Sequence, residues 1–427
     1  MNRTNQTTLV LALAGAIFFV SCSKKDIWKD ETDILPNNII IQWNLVALQA
    51  EGGVTYGHPL ISARVDAMVH IAMHDALNAI VPRYQQYVYR TEGRALADPI
   101  SAAASAAYTV LLGTYPESKS MLDSALAASL TKIPAGMLKD NGIQLGMKAG
   151  KAMLDLRAGD GAFDNPIAII APSTVPGVYN VVAPFDFLFA PNWKTMKLFS
   201  LQTHDQFRSI PPPALTSDHY ALDFNEVKSV GSINSTSRTP DQSAYAKWWY
   251  EFVEIGWNRV ARIKSAAHNP GLYTTSRMFA LLNMAIMDSY IAGWDSKNYY
   301  NFWRPYTAIR AAASDGNAAT APDLTWESVE PTPPVQDYPS THSTGANAAA
   351  TVLTHFFQHN PSFSMTSSTG VPPTTVRSFR TFLKAADENA DSRVRAGIHF
   401  RFTTVAGQKM GNQIGKWTLE NHLRPLR

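Results

Sequence analysis

Cysteine is almost absent from this sequence. The 427-residue chain contains a single cysteine, Cys22, near its N-terminus. One thiol cannot form an intrachain disulfide, and it cannot by itself supply the several thiolates of a structural zinc site. Both a disulfide-rich scaffold and a cysteine-based metal centre are therefore excluded.

Charge is also scarce. Charged residues make up 17% of the chain and apolar residues 45%, and the formal net charge is +3. So apolar a chain buries a large core and is not disordered, while so small a net charge argues against a broad nucleic-acid-binding surface. Any site for an anion must be built from a local cluster of cations.

Long apolar runs are missing as well. The longest, from Leu9 to Val20, is too short to span a bilayer comfortably and has the anatomy of a secretory signal. Phe19-Val20-Ser21-Cys22 resembles a bacterial lipobox. That resemblance implies a signal peptide at residues 1–21, a lipidated Cys22, a tether at 22–40, and an exported protein held in the cell envelope by its lipid alone, facing the periplasm or the cell surface.

Apolar residues recur at helical spacing through most of the chain, and no comparable set of alternating strands is found. The sequence predicts an all-α fold of two helical halves, residues 41–164 and 216–427, joined by a proline-rich connection at 165–215. The predicted helices cover approximately residues 62–81, 100–113, 119–132, 135–157, 241–262, 274–295, 345–358, 375–389 and 405–422.

Three short motifs in the C-terminal half carry chemistry. In the first, Lys297 and Arg304 are seven residues apart, a spacing that returns two side chains to one face of a helix. Pro305 is expected to kink or end that helix. Taken alone, such a pair is more typical of a solvated surface.

The second motif is Tyr338-Pro339-Ser340-Thr341-His342-Ser343, followed by an alanine-rich run. Ser340 is a good N-cap, and a helix that starts there points the backbone amides of Thr341 and His342 at one point. An oxyanion requires such an arrangement, although a helix start with an incidental histidine is the plainer interpretation.

The third motif runs from Ser392 to Phe400. Arg393 and His399 would point away from each other on an unbroken helix, so a shared site requires a break, and Gly397 provides one. Together the motifs offer three cations, a hydroxyl, helix-terminal amides and two imidazoles. Arginine binds paired oxyanion oxygens through two donors, and lysine adds a point charge.

Lys-x6-Arg-Pro, Pro-Ser-x-His and Ser-Arg-x5-His, in this order, resemble the superfamily of vanadium-dependent haloperoxidases and type 2 phosphatidic acid phosphatases, and the bacterial haloperoxidase-like proteins in particular. The resemblance implies that Lys297, Arg304, Ser340 and Arg393 bind the oxygens of vanadate or phosphate, with the amide of Thr341. It makes His342 the acid–base residue, and His399 either the vanadium ligand or a phosphatase nucleophile. It also implies an all-helical fold of two bundles with the active site in the C-terminal one.

Three functions follow as alternatives. The resemblance favours a vanadate-dependent haloperoxidase that oxidises halide with hydrogen peroxide. A soluble acid phosphatase that forms a phosphohistidine is the second, because vanadate and phosphate share charge and shape. A non-catalytic, carbohydrate-binding surface lipoprotein rich in aromatic residues is the third. The sequence leaves the oligomeric state open.

The sequence departs from the usual family pattern in three places. Thr341 replaces the glycine of Pro-Ser-Gly-His, Thr403 replaces an acidic residue four positions after the last histidine, and Val335 stands where haloperoxidases tend to have an aromatic residue or histidine. The orientation of His399 is therefore expected to come from a residue other than Thr403.

A separate pair, His70 and His74, forms His-x3-His followed by Asp75. Such a pair lies on one helix face and can mimic a metal site. No third ligand is evident nearby, so a structural role is favoured.

Overall fold

The computed structural model describes residues 35–53, 58–91 and 94–426. The proposed signal peptide and Cys22 lie outside them. Within this part of the chain the structure is mostly helical, which confirms the all-α prediction. None of the helices in these ranges is both long and apolar enough to cross a membrane.

The first half contains five α-helices. They are α1 (Asn38–Ala50), α2 (Pro59–Ile80), α3 (Pro99–Thr114), α4 (Lys119–Leu130) and α5 (Met137–Arg157). Helix α1 was not predicted, and its start at Asn38 lies within the residues assigned to the tether. Helices α3 and α5 approach each other closely, since a Cβ at Gly146 would lie 2.3 Å from the carbonyl oxygen of Ala102.

The chain between the halves has little regular structure. It contains the two-residue strands β1 (Ile167–Ala168) and β2 (Leu188–Phe189), which pair antiparallel, and a 3-10 turn at Pro191–Thr195. Carbonyl groups in this stretch are held by side chains of the helices, as when Arg157 donates to the carbonyl oxygens of Lys197 and Leu198.

The second half begins at Asp218. It contains α6 (Asp218–Val230), α7 (Pro240–Trp248), α8 (Val253–His268), α9 (Leu272–Tyr300), α10 (Pro305–Arg310), α11 (Thr341–Phe357), α12 (Phe382–Arg395) and α13 (Arg401–Asn421), together with the antiparallel pair β3 (Phe363–Thr366) and β4 (Val376–Phe379). Helix α11 packs against α13 as α3 does against α5, and a Cβ at Gly411 would lie 2.1 Å from the carbonyl oxygen of Thr344.

Three predicted helix boundaries in this half were wrong. The helix predicted at 241–262 is two helices, because the chain leaves helical geometry between Trp248 and Val253. Residues 376–379 form a strand, and α12 starts at Phe382, where the side chain of Thr381 accepts a bond from the amide of Lys384. Helix α9 ends at Tyr300, where Asn301 adopts a left-handed conformation with φ 45°.

One large core connects the two halves. The apolar cluster extends from Ile39 in α1 to Leu423 after α13, and α9 packs against both α2 and α11. Almost every residue of α9 is buried, as expected for a helix at the centre of a large protein. This central helix carries Lys297 near its C-terminal end.

Candidate active site

Helix α11 starts where a proline-rich loop meets α13. Ser340 is its N-cap: the side-chain oxygen accepts from the amide of Ser343, 3.4 Å away, and the amide of Ser340 donates to the carbonyl oxygen of Thr403. A Cβ at Gly407 would lie 2.4 Å from the carbonyl oxygen of Ser340, so only glycine allows α13 to approach this closely. The amides of Thr341 and His342 have no intrahelical acceptor, as at any helix start.

Three buried cations surround this helix start. Arg304 is the residue before α10; its Nε donates to the carbonyl oxygen of Val335 and its Nη1 to that of Ile398. Lys297 donates from Nζ to the carbonyl oxygens of Gln336 and Asp337. The prediction that Lys297 and Arg304 share a helix face was therefore wrong, since α9 ends between them, but both side chains reach the same loop.

Arg393 reaches the site from the last turn of α12. Its Nη1 donates to the carbonyl oxygen of Trp249, 3.0 Å away, and its guanidinium lies 5.2 Å from the centre of the Tyr250 ring. The acceptor is available because the chain is not helical between α7 and α8. Nε of Arg393 is buried and has no hydrogen-bond partner.

His399 follows a break after α12. Gly397 adopts φ +79°, and a Cβ there would lie 2.3 Å from the carbonyl oxygen of Gly231, so both the conformation and the space require glycine. The turn brings His399 back toward Arg304, whose Nη1 lies 3.1 Å from Nε2 of the imidazole.

Asp337 orients His399. Nδ1 of His399 lies 2.7 Å from Oδ1 of Asp337, and Oδ2 of Asp337 accepts from Oγ1 of Thr403 at 2.5 Å. Burial raises the pKa of Asp337 to about 6, against the opposing effect of Arg304 and Lys297. The carboxylate is thus ionised at neutral pH, and it leaves Nε2 as the imidazole nitrogen that can bond another atom.

His342 lies at the start of α11. Its Nε2 is buried without a hydrogen-bond partner, and its imidazole contacts the backbone of Glu251. Burial, followed by the charge of Arg393, lowers the pKa of His342 well below its usual value. Burial and Arg304 do the same to the pKa of His399. Both imidazoles are therefore neutral near pH 7.

The charges around these histidines do not balance. Burial lowers the pKa of Lys297 and brings that of Arg393 to about 10, which shows how costly the cations are here. Within the described ranges, Asp337 is the carboxylate that forms an ion pair with any of the three cations. Three positive charges against one negative charge leave an excess that a bound dianion would neutralise.

Vanadate fits this donor set. Nε of Arg393, a donor, and Nε2 of His342, a donor or acceptor, are both buried without a hydrogen-bond partner. Such groups are rare in folded proteins. The oxygens of a tetrahedral oxyanion would accept a hydrogen bond from Nε of Arg393. A protonatable oxygen of the same anion would form a hydrogen bond with Nε2 of His342. Phosphate fits for the same reasons.

Known proteins of similar sequence and structure share this architecture. Residues 277–427 match the family model described as the VCPO second helical-bundle domain. The vanadium chloroperoxidase of Curvularia inaequalis is 23% identical, in an alignment covering 89% of this chain and 81% of that protein.

Two solved structures resemble the whole molecule. The crystal structure of the first bacterial vanadium-dependent iodoperoxidase superposes with a TM-score of 0.77 at 23% identity, covering 92% of this chain and 99% of the other. A holo-type bacterial vanadium-dependent chloroperoxidase gives a TM-score of 0.70 at 18% identity, covering 90% and 97%.

In sequence and fold the chain is similar to the vanadium haloperoxidases. The recognition of this superfamily from three motifs is confirmed, as is the fold of helical bundles.

A cavity of about 330 Å³ opens onto the candidate active site. Five of the predicted residues line it: Arg304, Thr341, His342, Arg393 and His399. Ser340 and Lys297 do not line the cavity; they lie behind its wall, where they hold the start of α11 and the loop around Asp337.

The rest of the cavity wall is mainly apolar. Its lining comes from the connection between the halves, from the break between α7 and α8, from α9 and from the loop before α11: Pro59, Phe185, Phe187, Phe189, Tyr250, Phe252, Tyr290, Trp294, Pro333, Pro334 and Val335. Small polar reactants therefore meet the cations at the base of a largely apolar pocket.

Sequence reasoning did not find Asp337 or the break at Trp249–Phe252. Asp337 stands three residues before Ser340, and Thr403 stands four residues after His399. A search for polar residues next to the motifs would have found both. The break has no such signal, because the aromatic residues from Trp248 to Phe252 continue the apolar pattern of a helix.

His70 and His74 lie far from this site, in the interior of the first half. Nε2 of His70 lies 2.9 Å from Nδ2 of Asn44, and its ring stacks on Phe279. Nε2 of His74 lies 3.0 Å from the carbonyl oxygen of Gln85. Within the described ranges, no three histidine, cysteine, aspartate or glutamate side chains are placed to hold a metal ion.

Proposed function

We propose that this protein is a vanadate-dependent haloperoxidase that oxidises halide with hydrogen peroxide. The observation that carries the proposal is the excess of buried positive charge beside two neutral imidazoles. Lys297, Arg304 and Arg393 face one carboxylate, and the start of α11 adds the positive end of a helix dipole. A trivalent or divalent oxyanion resolves this imbalance.

The residues divide the work of binding. Arg304 and Arg393 each offer a planar fork to the oxygens of vanadate, and Lys297 adds charge from behind the loop. The amide of Thr341 would donate from the helix start that Ser340 caps. Nε2 of His399 would bond the central atom, because Nδ1 faces Asp337. Bound vanadate supplies an electron-poor centre that activates hydrogen peroxide for attack by halide.

His342 is proposed as the acid–base residue. It is neutral because of burial and the neighbouring cations, so it can accept a proton from hydrogen peroxide as that molecule enters. The negative charge of a bound anion would oppose the effect of Arg393 on the pKa of His342. The imidazole of His342 would then keep the proton and later transfer it to the oxygen that leaves with the product.

The decisive experiment is a paired assay of purified protein loaded with vanadate or kept in phosphate. We expect peroxide-dependent oxidation of bromide or iodide in the vanadate sample and its loss in His399→Ala. His219→Ala removes an exposed histidine outside the cavity and is the matched control. A vanadate-loaded protein that binds the anion but oxidises neither halide contradicts the proposal.

Acid phosphatase activity is the second candidate. It is favoured by one observation: two neutral imidazoles, His342 and His399, face the same cavity. His399 would attack phosphorus while His342, having taken up a proton when the phosphoester dianion binds, gives that proton to the leaving alcohol. Water would then release phosphate from the imidazole of His399. Robust phosphomonoester hydrolysis inhibited by vanadate, without halide oxidation, would establish this function instead.

A carbohydrate-binding surface protein loses its main support. Eight of the nine tryptophans in the described ranges are buried in the core, so they are not available to stack on a sugar: Trp43, Trp193, Trp248, Trp249, Trp257, Trp294, Trp303 and Trp326. The aromatic content serves packing and the wall of the cavity.

Export and lipid anchoring through Cys22 also remain a proposal. Support comes only from the sequence of residues 1–22, which lies outside the described residues. An envelope location would give the enzyme external halide and peroxide.

A further inference from the structure

A second, much smaller cavity lies where α1, α2 and α8 meet. Its lining includes three carboxylates, Glu51, Asp66 and Glu254, with Asn258 and Arg262. The cavity measures about 10 Å³, roughly the room that one water molecule requires. A water there would have several polar partners.

The amide of Asn258 joins the carboxylate of Asp66 to the backbone of Glu254. Its Nδ2 lies 3.3 Å from Oδ2 of Asp66 and 3.0 Å from the carbonyl oxygen of Glu254. Asn283 and Asn44 complete the polar network in an otherwise apolar core, where an unsatisfied polar group would be costly.

The pKa values of two carboxyl groups in this cluster are raised. Burial and the mutual repulsion with Glu254 raise the pKa of Asp66 to about 8, against the opposing charge of Arg262. Burial and the charges of Asp66 and Glu254 raise the pKa of Glu51 well above its usual value. At pH 7 the cluster therefore holds protons that exposed carboxyl groups would have lost.

Few other charged groups face the cluster. Arg262 is flanked by Arg259 and Glu251, which pair with each other, and Tyr115 faces Glu51 from the end of α3. One cation among three carboxylates does not balance them. Protonation is the remaining way to keep the buried cluster near neutrality.

Tyr290 links this cluster to the candidate active site. Its hydroxyl donates to Oε2 of Glu254 at 2.8 Å, and the same side chain lines the larger cavity beside His342 and Arg393. At the other end of the cluster, Glu51 and Arg262 are partly exposed. Polar groups thus extend from the surface to the cavity.

We infer that Glu51, Asp66, Glu254 and Tyr290 form a proton path that feeds the candidate active site. The inference rests on the proposed function, in which one hydrogen peroxide, one halide ion and one proton become one hypohalous acid and one water. Each turnover therefore consumes a proton, and none of the described residues that line the main cavity carries a carboxyl group to supply it.

The transfer balances without a further reactant. Glu254, which accepts from the Tyr290 hydroxyl, first takes a proton from Asp66 through the water site. It then gives that proton to the hydroxyl oxygen of Tyr290, while the hydroxyl turns and passes its own proton to water in the cavity and on to His342. Glu254, now ionised, is recharged from Asp66 and Glu51 through the water site. No bond other than O–H and N–H bonds changes.

The test replaces Tyr290 with phenylalanine in the full vanadate-loaded protein. We expect kcat for halide oxidation to fall roughly tenfold to a hundredfold, as when a proton-transfer group is lost, while vanadate affinity changes less than about twofold. Added imidazole buffer should restore much of the rate, because a small acid can enter the cavity and replace the missing hydroxyl.

Tyr273→Phe is the matched control. Tyr273 lies on the same helix, is fully buried and has a hydroxyl without a partner, so its loss should leave kcat and the response to buffer unchanged. A Tyr290→Phe enzyme with wild-type kcat across the pH range would overturn the inference. A slower enzyme that imidazole does not rescue would assign Tyr290 a packing role and overturn it as well.

A second measurement separates this inference from the proposed function. Infrared difference spectra at pH 7 should show a protonated carboxyl band that disappears in Asp66→Asn and shifts in Tyr290→Phe, whether or not the protein turns over halide. Absence of that band rejects the proton path. Its presence in a protein that oxidises no halide rejects the proposed function and the path's assignment to that reaction, while leaving the proton-holding cluster established.

Discussion

Nδ1 of His399 lies 2.7 Å from Oδ1 of Asp337, and the other oxygen of Asp337 accepts from Oγ1 of Thr403. Asp337 comes just before the motif that contains Ser340, whereas His399 and Thr403 come from the end of the motif that contains Arg393 and from the residues after it. This contact fixes which nitrogen of His399 faces Arg304 and the cavity. It also explains how a threonine can stand at a position where the family often has an acidic residue.

Replacing Asp337 with asparagine should weaken vanadate binding. The amide cannot stabilise a proton on Nδ1 as a carboxylate does, so His399 loses its preferred tautomer and orientation. Loss of such an outer partner typically lowers metal affinity or activity about 10–100-fold. Equilibrium dialysis with vanadate measures the effect. Thr403→Val, which removes one hydrogen bond to Asp337, should cost less, and equal losses in both variants would contradict this order.

Arg393→Ala should lower vanadate affinity by about 2–5 kcal/mol, because a buried charge-assisted contact disappears. The stability of the anion-free protein should change much less, since the same substitution relieves repulsion with Arg304. Calorimetric titration and urea unfolding give the two values. Arg380→Ala, at an exposed position, is the control. Vanadate affinity that survives Arg393→Ala would show that the guanidinium does not touch the anion.

Gly293 makes room for Thr341, which stands where the family motif usually has glycine. A Cβ at Gly293 would lie 2.5 Å from Cγ2 of Thr341, a β-branched side chain that adjusts poorly. Gly293→Ala should therefore destabilise the protein by about 1–3 kcal/mol. In a protein that already carries Thr341→Gly, the same Gly293→Ala substitution should cost much less, because the clashing methyl group is gone. Urea unfolding of the wild type, the two single variants and the double variant measures both costs. Strictly additive effects would mean that the two residues do not clash.

His70 should make the fold sensitive to acid. Burial, followed by the charge of Arg262, lowers its pKa to about 3, compared with about 6.5 in an unfolded chain. Between these values the unfolded chain binds a proton that the folded protein does not, so stability falls as the pH drops below about 6.5. At pH 5 the cost is about 2 kcal/mol.

His70→Gln keeps a hydrogen-bond acceptor for Asn44 and removes this titration. The free energy of unfolding of the variant should lose about 2 kcal/mol less than that of the wild type between pH 7 and pH 5. Comparison of the two proteins cancels the contributions of other buried groups, such as Asp75. His359→Gln removes an imidazole from the surface instead and is the control. Parallel pH profiles of the wild type and His70→Gln would refute the assignment.

Cys22→Ser should release the protein from the membrane fraction of a bacterium that expresses the full chain. Without a thiol there is no site for a lipid, and one or two acyl chains are what would hold the mature protein at the bilayer. Fractionation followed by immunoblotting measures the change. Wild-type protein found only in the soluble fraction would refute the lipid anchor.

The helical core was predictable because its signals are local. Helices α2, α3 and α5 follow apolar spacing and end at proline or glycine within a few residues of the predicted limits. The errors occurred where tertiary contacts override that spacing. The aromatic run at Trp248–Phe252 continues a helical pattern, yet it breaks the helix and supplies Arg393 and His342 with backbone contacts.

The sequence by itself determined the fold class, the superfamily and the set of residues proposed to bind the anion, because the three motifs hold fixed residue types at fixed local spacing. Only the tertiary structure decided that Asp337 orients His399, that Phe185, Phe187 and Phe189 wall the cavity, and that Tyr290 joins it to buried carboxylates. These partners are far apart in the chain or lie outside any motif. Their contacts depend on how α9 packs between the two halves, and no local pattern encodes that packing.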